Sequence, residues 1–142
     1  MEYQDIQEFK RKKRFLKRYQ NNLSCIVRLE EKRLLLDEKS KSVKSPNLSG
    51  MPRGGVPLTT ADIVSDILDL DDRIARLKDK NKIVKEEILN EIDSLEDSRY
   101  CEVLEAFFID GISLRDIGDN MGYTERHIHR LYKEAIVALI SV

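Results

Sequence analysis

The sequence predicts an all-α protein: a long antiparallel helical hairpin of coiled-coil character, followed by a C-terminal trihelical helix-turn-helix unit. Three observations predict it. Most of the six glycines and three prolines in the 142 residues fall between positions 46 and 57, leaving long uninterrupted stretches on either side. Apolar residues in those stretches recur at steps of three and four. Charged residues make up 36% against 41% hydrophobic, with no tryptophan, as in long solvated helices.

The first helix is expected from residue 3 to about residue 40, with Phe9, Leu16, Tyr19, Leu23 and Ile26 on one stripe. Glu30 and Arg33 interrupt that stripe before Leu34, Leu35 and Leu36 resume it. Leu29, Leu35 and Leu36 fall off the main seam, where a homodimer interface could form. The second helix starts at a Thr59 or Thr60 cap, supported by Asp62. Its seam runs Ile63, Ile67, Leu70, Ile74, Leu77, Asn81, Val84, Ile88 without a break. A parallel homodimer on that seam would set Asp66 against Asp71, Arg73 against Lys78, and Lys80 against Lys85. Folding the two helices back on each other avoids this, and sets the basic run 9–18 beside the acidic 86–97. At about 1.5 Å per residue each helix is roughly 55 Å long, so their lengths match.

Between them lies KSVKSPNLSGMPRGGVPL, residues 41–58. Connections between packed helices usually take about 2–8 residues, and this one is more than twice as long. It is either a surface loop or a docking element, in which Arg53 and its neighbouring glycines bring backbone N–H groups to a phosphate or a partner protein. The sequence does not separate the two.

Residues 1–97 thus form the hairpin, and 98–142 form a second domain. Tyr100, Val103, Leu104, Phe107 and Phe108 share one stripe of a short helix that Gly111 ends. Ser113, with Asp116 three residues on, starts the next in the manner of a capping box. Leu114, Ile117 and Met121 form its inner face, Gly122 ends it in left-handed geometry, and Thr124 caps the last helix. Gly118 lies inside a helix, where glycine costs about 0.5–1 kcal/mol relative to alanine. A close helix crossing, with no room for a side chain, explains it. Ile128, Leu131, Ala135 and Leu139 of the last helix point inward. Glu125, Arg126, His127, His129, Arg130 and Lys133 point outward, with Arg126 and Arg130 four apart on one face, as base-reading or phosphate-clamping residues should be.

Charge is distributed unevenly. Residues 1–58 carry 14 Lys/Arg against 7 Asp/Glu, and residues 59–142 carry 11 against 19. Residues 98–142 balance to −2, short of the strongly basic field of many DNA binders. The basic run 9–18 therefore has two readings: pairing with the acidic end of the second helix, which we favour, or a phosphate or partner contact through Lys10, Arg11, Lys13 and Arg14. There is no phosphate-binding glycine loop and no nucleophile–base pair at a recognisable spacing. His127 and His129, two apart, are poor joint metal ligands. An enzyme, a catalytic residue, a cofactor and a metal are not expected. Cys25 and Cys101 read as reduced thiols in a cytoplasmic protein, and no apolar run suits a membrane span or a signal peptide.

The stretch from Ser113 to Leu139 resembles the promoter-reading helix-turn-helix of bacterial sigma factors, in the pattern SL..I...MG.....I..L...A...L. With SPNLSGMPRGG in the connector, the chain is similar nearly throughout to phage regulators of late, packaging and lysis genes, the ArpU and RinA-like group. The resemblance implies a sequence-specific regulator that binds double-stranded DNA and works with host RNA polymerase. Carried over by position, Thr124, Arg126, His127, Arg130 and Lys133 would contact DNA, with Arg130 foremost. Glu125 would support the helix start or accept from a cytosine amino group. No sigma-type core-binding domain precedes the unit. Two alternatives stand: a small terminase-like packaging subunit, and a sigma mimic that binds RNA polymerase without reading DNA.

Overall fold

The computed structural model describes residues 2–43, 60–140 and 142, and its regular structure there is all helical. The elements are α1 (Tyr3–Val43), α2 (Thr60–Asp93), α3 (Ser98–Phe108), α4 (Leu114–Met121) and α5 (Glu125–Ala138). Lys41, Ser42 and Val43, assigned above to the connector, instead continue α1. They carry no glycine or proline to stop it, and Lys41 pairs with Asp37 one turn back at 3.5 Å. The rest of the connector, Arg53 included, and Thr59 lie outside the described residues. Thr60 is the first residue of α2. No helix among the described residues is long and apolar enough to cross a membrane.

Packing divides the chain into two units, Met1–Leu23 with Lys80–Val142 and, separately, Ser24–Asp79. In the second, Ile26 and Leu29 of α1 meet Leu70 and Ile74 of α2, with Leu36 and Leu77 packed against them. Arg33 grips Asp71 through two guanidinium nitrogens, and Lys78 lies 2.9 Å from Glu30. Partners rise in number along α1 as they fall along α2, so the helices run in opposite directions here. Leu29 is therefore core, only 3% exposed, rather than a free off-seam residue. Glu30 and Arg33, which break the apolar pattern, are the flanking residues that lock the pair. Leu34 and Leu35 stay exposed.

The first unit has the larger core. Leu16 of α1 and Ile88 and Ile92 of α2 share it with Val103, Leu104 and Phe108 of α3, Ile117 of α4, and Ile128, Leu131 and Ile136 of α5. Fully burying one such side chain contributes about 1.5–3 kcal/mol. Packing thus joins residues on both sides of the boundary that the sequence suggested between 97 and 98. Asn81 is buried in the seam but satisfied, donating to the Tyr19 carbonyl at 3.3 Å and accepting from Asn22 at 3.0 Å. A buried polar residue of this kind fixes the register of two helices at some cost in stability.

The basic run meets this unit differently from the favoured reading. Among the described residues, Arg18 is its one member ion-paired with 86–97, at 2.8 Å to Glu87. Lys12 turns inward and is 6% exposed. Its Nζ donates to the Val137 carbonyl in the last turn of α5 at 3.0 Å and lies 3.6 Å from Glu8. A cation suits that end of a helix, where carbonyls are left without partners.

Candidate nucleic-acid interface

Each helix of the C-terminal part starts on a side-chain cap. Asp97 accepts from the Arg99 amide, Ser113 from Asp116, and Thr124 from His127. Gly111 and Gly122 take positive φ, +71° and +76°, which side chains disfavour. At Gly122 the chain leaves α4, and the Tyr123 amide returns to the Gly118 carbonyl at 2.8 Å. A β-carbon on Gly118 would lie 3.2 Å from the Tyr123 carbonyl oxygen and 3.3 Å from Ile128 Cγ2. The missing side chain thus lets α4 and α5 cross closely, and Ile117, Ile128 and Leu131 close the space between them.

That crossing fixes which face of α5 is outward. Leu131, Tyr132, Ala135 and Ile136 are buried, along with Ile128. Tyr132 stacks on Phe108 at 5.8 Å and meets Phe107 edge-on at 5.2 Å, so burial raises its phenol pKa. On the opposite side Thr124, Arg126, His127, His129, Arg130 and Lys133 line one open concavity. Six of the seven residues named from the sequence are thereby brought together. The seventh, Glu125, is exposed in the first turn of α5, where an acid complements the helix dipole.

The six are unequally restrained. Arg130 Nη2 lies 3.1 Å from His127 Nδ1, and its Nε is 3.8 Å from Glu134. Glu134 in turn accepts from the Tyr100 hydroxyl at 3.1 Å. The His127 ring meets Tyr123 edge-on, centroids 4.5 Å apart. Arg126 and Lys133 have no ion-pair partner among the described residues. Arg99, bonded to Asp97 at 2.9 Å and also to Tyr123, has its pKa raised by both, Asp97 first. It ties the start of α3 to the turn before α5. The ties of Tyr100 to Glu134 and of Arg99 to Tyr123 escaped the sequence reading, because the partners stand 34 and 24 positions apart and no local spacing marks them.

Lys10, Lys13 and Arg14 are on α1 without an ion-pair partner among the described residues, whereas Arg11 lies 3.6 Å from Glu8. Among the described residues no group of three or more His, Cys, Asp or Glu side chains could hold a metal. Comparison with protein families, with curated proteins and with solved structures gives no match.

Proposed function

We propose that the protein is a sequence-specific DNA-binding transcriptional regulator, of the kind that controls late genes of a phage or mobile element together with host RNA polymerase. In this reading α4 and α5 are a helix-turn-helix, and α5 is the helix laid in the major groove. The antiparallel α1 and α2 form a coiled-coil hairpin that carries the unit and can bring two copies together in the cytoplasm. Paired copies would read two half-sites about one helical turn apart.

The observation that carries the proposal is the face of α5 itself. Two arginines one turn apart, a lysine and two histidines are displayed together near the start of a helix whose opposite face is fixed by burial. Arginine pairs with guanine O6 and N7 in the major groove, and lysine neutralises phosphate. Charge is local here: Arg126, Arg130 and Lys133 stand against Glu125 and the partly engaged Glu134.

Selection from a random duplex pool at about 150 mM salt, with wild type and Arg126→Ala/Arg130→Ala side by side, tests it. Enrichment of a defined motif by wild type alone is expected. Equal enrichment by both, or none, sinks the reading. A ring-forming oligomer would then favour a packaging subunit, and retained polymerase binding without DNA preference a sigma mimic.

A further inference from the structure

We propose that the outward face of α1 formed by Lys10, Lys13, Arg14 and Lys17 is a second, sequence-independent binding surface for the phosphates of duplex DNA. These residues are spaced i, i+3, i+4 and i+7, which places them on one side of the helix. The structure sorts the basic run that the sequence presents as a block. Lys12 is buried against the Val137 carbonyl, Arg11 is beside Glu8, and Arg18 is held by Glu87. Lys17, not singled out by the sequence, joins Lys10, Lys13 and Arg14. None of the four has an ion-pair partner among the described residues, and three are exposed with Lys13 half-buried.

The chemistry of the face favours polyphosphate. Four cations over eight residues, seven steps of the helix, span about 10.5 Å, while phosphates follow one another at about 3.4 Å of axis per strand. Several phosphates therefore fall within reach of flexible lysine stems at once. Of the acids of the first turns, Asp5 lies on the other side, in a concavity with Phe9, Lys12 and Val137. Glu8 borders the face, sharing a concavity with Arg11 and Arg14, but its carboxylate is paired with Arg11 and Lys12. A cationic face without ion-pair partners among the described residues lowers the free energy of an anionic polymer next to it. The choice of duplex DNA over an acidic protein rests on the function proposed above. The site itself rests on the sorting of the cations.

The test measures binding of full-length protein to a random-sequence duplex as a function of salt. The variants are Lys10→Gln/Lys13→Gln/Arg14→Gln/Lys17→Gln and a charge-keeping Lys10→Arg/Lys13→Arg/Arg14→Lys/Lys17→Arg. The glutamine variant is expected to bind at least about tenfold more weakly. The slope of log K against log salt should shrink by about 2–4, since each phosphate contact contributes about 0.9. The charge-keeping variant should match wild type. Should the fourfold variant misfold by circular dichroism, the pairs Lys10→Gln/Arg14→Gln and Lys13→Gln/Lys17→Gln are each expected to give about half the change. An unchanged slope in a folded variant overturns the proposal and leaves the face to an acidic protein. Equal loss in the charge-keeping variant also overturns it. Motif selection through α5 is read separately, so failure of one surface is not mistaken for failure of the other.

Discussion

Gly118 lies so close to Ile128 that a β-carbon at 118 would come within 3.3 Å of Ile128 Cγ2, a side chain with no exposed surface. Gly118→Ala sets two effects against each other. Helix preference gains about 1 kcal/mol, whereas overpacking against a rigid neighbour costs about 1–3 kcal/mol. The backbone oxygen of Tyr123 at 3.2 Å cannot rotate away as a side-chain tip could. We expect a net loss of about 1 kcal/mol in urea unfolding, and a larger one for Gly118→Val. A raised urea midpoint in Gly118→Ala would mean the crossing has slack. At Gly122 nothing lies within 4 Å, so Gly122→Ala tests the backbone alone. There the left-handed φ should cost about 1–2 kcal/mol, and Gly122→Asn less.

These glycines were legible because their causes are local. So were the caps Ser113 and Thr124, and the seam of α2 from Ile63 to Ile88. The seam of α1 was harder, for a physical reason. Glu30 and Arg33 look like breaks in an apolar stripe, yet they flank it, and only their partners Lys78 and Asp71 on another helix reveal this. Leu29 was misassigned as a consequence. The outward face of α5 was legible by subtraction, since periodicity identifies what is buried. The tie from Tyr100 to Glu134, and the inward turn of Lys12, depend on chain crossings that no spacing encodes.

Lys12 gives a test of one such crossing. Its aliphatic stem is buried and its ammonium reaches a carbonyl in the last turn of α5. Lys12→Met keeps the stem and removes the donor, leaving that carbonyl without its cation. The expected loss is about 1–2 kcal/mol, with faster hydrogen exchange at the Leu139 amide, which bonds Ile136 at 3.2 Å. Lys12→Ala should lose more, because packing goes too. Unchanged stability and exchange in Lys12→Met would reduce the contact to incidental packing.

Asp97 gives a pH dependence with a defined sign. Arg99 bonds to its carboxylate through side chain and backbone, and holds its pKa below the ordinary 3.8. A lowered folded-state pKa means the folded protein prefers the ionised form. Its contribution is therefore present above pH 3.8 and is lost as pH falls through the lower folded value. Asp97→Asn keeps a capping oxygen but not the charge. The variant should melt below wild type at pH 7, and the gap should close at acid pH beneath the folded pKa. A gap that persists unchanged there would assign the effect to cap geometry rather than to charge.

On the function proposed here, Glu134 sets how available Arg130 is to a nucleic acid. The carboxylate stands 3.8 Å from the Arg130 Nε and is itself held by the Tyr100 hydroxyl. It both competes for the guanidinium and adds a negative charge beside the face proposed to meet DNA. Glu134→Gln keeps a group that can bond Tyr100 while removing that charge. An exposed pair of this kind contributes about 0.2–1 kcal/mol, so duplex affinity should rise by up to about fivefold. The gain should shrink in an Arg130→Ala background, because only the repulsion of phosphate then remains to be relieved. A fall in affinity, confined to the selected motif, would give the opposite role: Glu134 would orient Arg130 for one base, and the ion pair would be part of the reading geometry.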